Sequence, residues 1–318
     1  MIEKKTMRDC FIEGLCARMQ TQKDIFFLCA DFGSPKLDQI RKQFKDRFIN
    51  VGIAEQNLVN VATGLALEGF KVYAYAIAPF LAMRPYEQIR INLALQAQLK
   101  EINVNLIGVG AGLSYDVSGP THHCLEDISI MRALPHMEIF SPSDWALAAK
   151  FIDYSLHVAK PKYLRFDGKP LPRIYDNIDA VNIENGFYEM KKGSRACFIS
   201  TGMMTHKALQ AAAALQKENI DVGVVDVFLL KDDNADALYE TLKKYEVFVT
   251  LEEAFMNRGG LDSFILFLLN RKGSRAKLKN MGFSNSYIFD IGSRDYLYQL
   301  NKLDEASMIE SVKNLLAA

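Results

Sequence analysis

Along this chain, short runs of β-branched and aromatic residues alternate with segments whose apolar positions recur every three or four residues. That alternation predicts an α/β fold with mainly parallel sheet. The expected strands of a first sheet are Ile25 to Ala30, Phe48 to Val51, Val72 to Ala78, Val104 to Gly108, Met137 to Phe140 and Tyr163 to Arg165. Between them, Ala54 to Glu68 places Leu58, Val61, Ala62 and Leu65 on one face, and Tyr86 to Leu99 does the same with Ile89, Leu93 and Gln96. Both read as crossover helices. Residues 166 to 193 are richer in Pro, Gly, Asp and Asn and carry no clear period, so a linker is expected there. A second α/β unit follows, with strands at Ala196 to Ser200, Val222 to Phe228 and Val247 to Leu251. Its helices are expected near 204–217, 233–245 and 260–270, and a last helix at Glu305 to Leu315. The organisation implied is two doubly wound domains, residues 1–178 and 179–318, with no internal repeat, heptad run or low-complexity tract.

In doubly wound sheets ligands sit at the carboxyl ends of the strands, so the loops after Ala30, Val51, Ala78 and Gly108 carry the candidate chemistry. After the second strand, Gly52-Ile53-Ala54-Glu55-Gln56-Asn57 puts a carboxylate in the first turn of an apolar-faced helix. Glu55 either favours the helix dipole or is a tuned functional carboxylate. After the third strand comes Ala78-Pro79-Phe80-Leu81-Ala82-Met83-Arg84-Pro85-Tyr86-Glu87, in which Phe80 and Tyr86 would ordinarily be core aromatics. After the fourth, a Gly-rich stretch from Gly108 to Cys124 ends in Gly119-Pro120-Thr121-His122-His123. Adjacent histidines in such a loop are either a surface pair or a functional one, and with no third ligand at recognisable spacing they make a poor zinc site.

Composition narrows the classes. The 318 residues are 49% hydrophobic and 24% charged, ordinary for globular domains, which excludes disordered, collagenous and coiled-coil chains. Lys plus Arg and Asp plus Glu number 38 each, so there is no basic footprint for nucleic acid. The most apolar stretch, Tyr73 to Met83, has eleven residues against the roughly 20 that span a bilayer. It reads as a buried strand and its following loop. Met1 to Thr6 shows no apolar leader segment, and a cytoplasmic location is expected. Five cysteines without a C-x-x-C pair argue against a disulfide framework or structural zinc, Cys124 being the one placed among candidate site residues.

The succession G-I-A-E-Q-N, A-P-F-L-A-M-R-P-Y-E-Q-I-R and S-G-P-T-H-H-C-L-E-D-I-S-I-M-R-A-L-P resembles the pyrimidine-binding half of transketolase, specifically the C-terminal subunit of split, two-chain transketolases. The resemblance continues through Phe140-Ser141-Pro142-Ser143-Asp144 and Tyr163-Leu164-Arg165 to T-L-E-E-A-F-M-N-R-G-G-L from Thr250, similar to the family's C-terminal domain. It implies a thiamine-diphosphate pyrimidine-binding domain followed by a transketolase C-terminal-like domain, and a cofactor site built between two chains. Glu55 falls at the position of the acid that shares a proton with N1′ of the aminopyrimidine and so sets up the cofactor's own acid/base chemistry. Phe80 matches the aromatic that stacks on that ring. Met83 and Tyr86 fall at two further pocket positions, and Asp31 resembles an acid lining the cofactor cleft, its other reading being an Asx cap.

His122 takes the place of the family histidine near the reacting carbons, with His123 a weaker neighbour. Arg165 corresponds to an arginine that binds the sugar phosphate, a fork suited to bidentate contact, and Arg84 is a candidate to share that work. The sequence departs from the family in three places: Ser118 stands where transketolases have a donor-reading Asp, Gly110 where full-length members have a phosphate-contacting His, and no G-D-G motif for the diphosphate and Mg²⁺ occurs. A modified sugar substrate, a separate N-terminal subunit holding most of the metal site, and a heterotetramer of two copies of each chain are therefore expected. Competing readings are a deoxyxylulose-phosphate-synthase-like condensation of pyruvate with an aldehyde and a non-catalytic pairing subunit; β chains of the 2-oxo-acid dehydrogenases share the architecture, but the G-P-T-H-H run and Arg165 fit them poorly. In the second domain, the Ser200-Thr201-Gly202-Met203 loop is either an anion site or a tight strand-to-helix turn.

Overall fold

The computed structural model describes residues 3–230 and 232–317, and of Asp232 only the backbone; Met1 and Ile2, where the leader reading begins, lie outside it. In chain order the elements are β1 (Lys4–Lys5), α1 (Met7–Thr21), β2 (Ile25–Cys29), α2 (Pro35–Gln43), β3 (Phe48–Asn50), α3 (Glu55–Leu67), β4 (Lys71–Ile77), α4 (Ala78–Met83), α5 (Tyr86–Gln88), β5 (Val104–Val109), α6 (Asp127–Arg132), β6 (Glu138–Phe140), α7 (Trp145–His157), β7 (Lys162–Phe166) and β8 (Leu171–Pro172). They continue with β9 (Phe187–Lys191), β10 (Ala196–Ser200), α8 (Met203–Lys217), β11 (Val222–Val227), α9 (Ala235–Leu242), β12 (Val247–Phe255), α10 (Leu261–Arg271), β13 (Lys277–Phe283), α11 (Arg294–Leu300) and α12 (Glu305–Ala317).

Six strands in the order β3-β2-β4-β5-β7-β6, all parallel, form the first sheet. Such a sheet must be covered on both faces, and the sequence of β4 shows how. Val72, Ala74 and Ala76 point to a layer holding Leu58, Ala62, Leu81, Ile89 and Leu93, while Tyr73 and Tyr75 point to the opposite layer with Phe11, Leu15, Ile40 and Phe151. Polar caps start the covering helices: Thr6 accepts from the Asp9 N–H, Ser34 from Leu37, and Asp144 from Leu147. The second sheet, β13-β12-β10-β11-β9, is parallel except for β9 at its edge.

Several expectations are corrected. The linker expected over 166–193 holds β8, which pairs antiparallel with β1, and β9, which belongs to the second sheet. The loop expected after β4 is helical, α4, with Pro79 in its first turn, where a missing N–H costs nothing. The single crossover helix expected over Tyr86 to Leu99 is α-helical only to Gln88, then π-helical over Ile89–Leu95 and 3₁₀ over Gln96–Gln98. The wider turn buries Leu93 and Ala94 side by side and leaves Ile91 and Leu95 exposed. Helices α1, α2, α7 and α11 and strand β13 carried no assignment at the sequence level.

The two sheets are tied by backbone hydrogen bonds and by buried charge. Ser141 N–H donates to the Phe228 carbonyl at 2.8 Å and Leu230 N–H to the Ile139 carbonyl at 2.9 Å, so the edge strand β6 continues into the second domain. Behind it, Arg294 at the start of α11 donates from Nε to Glu253 Oε1 at 2.9 Å and from Nη1 to Asp167 Oδ2 at 2.6 Å, and pairs through Nη2 with Glu253 Oε2. Tyr298 and the Leu113 N–H also donate to Glu253. Burial opposes ionisation of Glu253, but the Arg294 charge outweighs it and holds the carboxyl below its ordinary range.

A second buried acid, Asp226 at the end of β11, accepts from the hydroxyls of Ser143, Thr205 and Tyr175. Here burial prevails and pushes the carboxyl up to about 7. Because an unfolded Asp titrates near ~3.9, the native state keeps a proton that the unfolded chain has lost between those values, and the stability from this site falls as pH rises through that window. We predict that the stability difference between the wild type and Asp226→Asn, read by urea unfolding at several pH values, declines by about 1.4 kcal/mol per pH unit in mid-window.

Candidate active site

The carboxyl ends of β2, β3, β4 and β5 lie side by side, and their loops bring four of the sequence candidates together. Glu55 opens α3, held in its first turn by the preceding Gly52-Ile53-Ala54 turn, and is 5% exposed. Arg84, the C-terminal residue capping α4, reaches back across that turn and donates from Nη1 to Glu55 Oε1 at 2.8 Å. Its guanidinium lies over the Phe80 ring at 4.1 Å from the centroid. The His122 imidazole meets the same ring edge-on, at 5.3 Å and 70°. Gln56 completes the group by donating to the Arg84 carbonyl at 3.3 Å. The result is a buried carboxylate facing an N–H donor that lies over an aromatic ring, with an imidazole at the ring's side.

Other candidates sit around this cluster with partners of their own. Asp31, in the left-handed region at φ 51°, exchanges hydrogen bonds with Asn50, whose side chain also takes the Gly52 N–H. It thus braces the turn that presents Glu55. Met83 is 43% exposed beside the cluster. Tyr86 turns away, its hydroxyl donating to the Ile130 carbonyl at 2.8 Å. Ser118 is exposed at the end of a short 3₁₀ turn, and Thr121 bonds His122 Nδ1 at 3.0 Å.

Two candidates are placed elsewhere. Arg165 is 2% exposed and two of its three nitrogens are committed: Nε to Asp127 Oδ2 at 2.7 Å, Nη2 to the carbonyls of Cys124 at 3.2 Å and Glu253 at 2.9 Å. Burial works against its charge, yet Asp127 overrides it and keeps the guanidinium firmly protonated. This arginine therefore joins the Gly-rich loop to the second domain through Nε and Nη2, and Nη1 has no hydrogen-bond partner among the described residues. His123 points inward, 4% exposed, with neither ring nitrogen hydrogen-bonded, and burial pushes it down so that it stays neutral. Cys124 is wholly buried, its thiol raised well above the usual range by burial and then by Asp127, which makes it an inert core thiol.

Gly110 shows why the family histidine cannot stand there. It has φ +110°, and a Cβ would lie 2.3 Å from the Tyr115 ring, which fills that corner. Gly202, with φ +58°, is a tight turn ahead of α8. Among the described residues no three His, Cys, Asp or Glu side chains gather into a metal cage, and no helix is long and apolar enough to cross a membrane. The sequence reading missed the partnership of Asp127 and Glu253 with Arg165, and of Arg84 with Glu55. All of these residues stood in quoted motifs, but which arginine meets which acid is decided by tertiary pairing.

The family model for the transketolase pyrimidine binding domain matches residues 3–172, and that for the transketolase C-terminal domain matches residues 188–308. The chain belongs to the transketolase family. A curated relative, one of the subunits of the apulose-4-phosphate transketolase of Actinobacillus succinogenes, is 30% identical over 99% of this chain and 100% of its own length. The 1-deoxy-D-xylulose-5-phosphate synthase of Aquifex aeolicus is 32% identical over 88% of this chain but only 43% of that protein. A solved structure described as a split gene transketolase, inactive beta4 tetramer, matches with a TM-score of 0.86 and 28% identity over 99% of both chains. Transketolase-family members depend on thiamine diphosphate, and the Glu55–Phe80 arrangement fits its aminopyrimidine: the ring already carries a flat nitrogen-bearing group that donates to the buried acid.

The buried setting of Arg165 separates two outcomes. Arg165→Met should lower stability by about 3–5 kcal/mol, because it leaves Asp127 buried without its cation. Denaturant unfolding of the variant checks this, and a variant of wild-type stability with only a raised KM would restore the phosphate-binding role.

Proposed function

We propose that the chain is the C-terminal subunit of a two-chain transketolase, transferring a two-carbon ketol unit from a ketose donor to an aldose acceptor, with a separate N-terminal subunit that holds the diphosphate and Mg²⁺ of thiamine diphosphate. The observation that carries this reading is the Glu55–Arg84–Phe80 contact set with His122 at its edge. When bound, the cofactor supplies a nucleophilic carbon and an electron sink beside the ketose carbonyl. Glu55, buried at a helix N-terminus, would hold a proton at N1′ of the aminopyrimidine, and Phe80 would fix the plane of that ring. His122, anchored through Nδ1 to Thr121, keeps Nε2 for a substrate hydroxyl or a proton in transit. Asp31 acts at one remove, by holding the turn before Glu55.

Three features favour a modified sugar over a common pentose phosphate: Ser118 in the donor-reading place, the Gly110 corner closed by Tyr115, and Arg165 withdrawn into the core. The relative named for apulose-4-phosphate supports the same reading. The expected assembly is two copies of each chain. Decarboxylating condensation of pyruvate is the second reading, favoured by the likeness to 1-deoxy-D-xylulose-5-phosphate synthase. Against a purely structural subunit stands the joint presence of Glu55, Phe80 and His122 in one contact set.

Calorimetry with thiamine diphosphate and Mg²⁺ should show binding only when the N-terminal subunit is present; binding to this chain alone would sink the split-site reading. In the assembled enzyme, Glu55→Gln should cut turnover by about 10²–10⁴-fold. Unchanged turnover would return the chain to a pairing role, and CO₂ release from pyruvate would favour the second reading.

A further inference from the structure

By sequence position Arg84 is a candidate for the sugar phosphate, but its geometry gives it a different task. Its side chain is half exposed, yet both of its contacts face inward: Nη1 to the buried carboxylate of Glu55 at 2.8 Å and the guanidinium carbon over the Phe80 ring at 4.1 Å from its centroid. A guanidinium is flat, carries N–H donors in its plane and offers a π surface. An aminopyrimidine presents the same three properties. Resting on the reading that Glu55 and Phe80 receive that ring, we propose that Arg84 is an internal competitor for the aminopyrimidine seat, which the cofactor must displace in order to load.

The local backbone makes this displacement a side-chain event. Arg84 N–H is bonded to the Phe80 carbonyl at 3.1 Å, and the Arg84 carbonyl takes the Gln56 amide at 3.3 Å, so the main chain is fixed at both groups while the side chain has solvent to swing into. Rotation leaves Glu55 without a cation until the pyrimidine arrives. The exchange therefore swaps the guanidinium N–H for a proton, taken up from solvent, that Glu55 and N1′ share, and one flat partner for another, so the buried carboxyl is paired in both states. Loading is then selective for a ligand that supplies the donor and the flat face together. A diphosphate alone, held on the other subunit, would not dislodge Arg84.

The test uses the assembled two-chain enzyme, with thiamine diphosphate titrated at fixed Mg²⁺ by calorimetry and its association followed by stopped flow. Arg84→Ala should bind roughly tenfold tighter and associate faster, since a partly exposed ion pair and a cation–π contact no longer compete. Arg84→Lys, which keeps the charge without the flat fork, should fall between the two. Sedimentation checks that each variant assembles, and Arg84→Gln replaces Arg84→Ala if that variant does not. Equal or weaker binding by the Arg84 variants, with normal binding by the wild type, would overturn the proposal while leaving the cofactor reading intact. No binding by the wild-type complex would overturn the cofactor reading and the proposal with it.

Discussion

A carboxylate without access to water must be matched by donors, and Glu253 obliges four separate parts of the chain to meet. Arg294 from α11 supplies the charge, Tyr298 and the Leu113 N–H supply further donors, and the Glu253 carbonyl takes Arg165 from β7. Through Arg294 the same centre reaches Asp167, and through the Arg294 N–H it reaches Asp116 in the Gly-rich loop. The loop that carries His122 is thus held from behind by the second domain. His122 can meet the Phe80 ring at a fixed angle because the segment on either side of it is anchored in this way. Removing Arg294 would leave Glu253 and Asp167 buried without their cation, which is far costlier than losing an exposed pair.

The two arginines of the candidate site show how the same side chain takes opposite roles. Arg165 sits near the end of an interior strand, almost wholly buried, and its Nε and Nη2 are held by Asp127 and two carbonyls. Arg84 sits at the end of a short helix on the open edge, where one side is solvent and the other is a carboxylate over an aromatic ring. The first arrangement is a fastening, the second a contact that can be exchanged. Burial decides between them, since both residues are arginines beside an acid.

Most of the first sheet could be read from the chain because its strands are buried on both faces and its crossover helices carry one apolar stripe. The two faces of β4, small residues on one side and tyrosines on the other, are visible in the alternation from Val72 to Ala76. Two of the unassigned elements fail that test: α1 is amphipathic only weakly in sequence, with Met7, Phe11, Leu15 and Met19 buried among interspersed charges. Strand β13 alternates lysines with half-buried residues over its first half. At the site, Glu55, Phe80 and His122 were legible through motif order, and the structure places them in one cluster. The inward turn of His123 and the withdrawal of Arg165 were not legible, because each depends on partners far along the chain or on packing that leaves no local period.

The corner at Gly110 has a consequence for how this chain can change. A histidine there would need three events at once: a backbone able to leave φ +110°, a smaller residue in place of Tyr115, and a new cover for Gly168, on which the same ring also lies. Each change alone puts a clash or a void in the loop that carries His122, and neighbouring substitutions of this kind do not add independently. A stepwise mutational route to a histidine at that position therefore passes through damaged intermediates, so the tyrosine works as a ratchet on this corner of the loop.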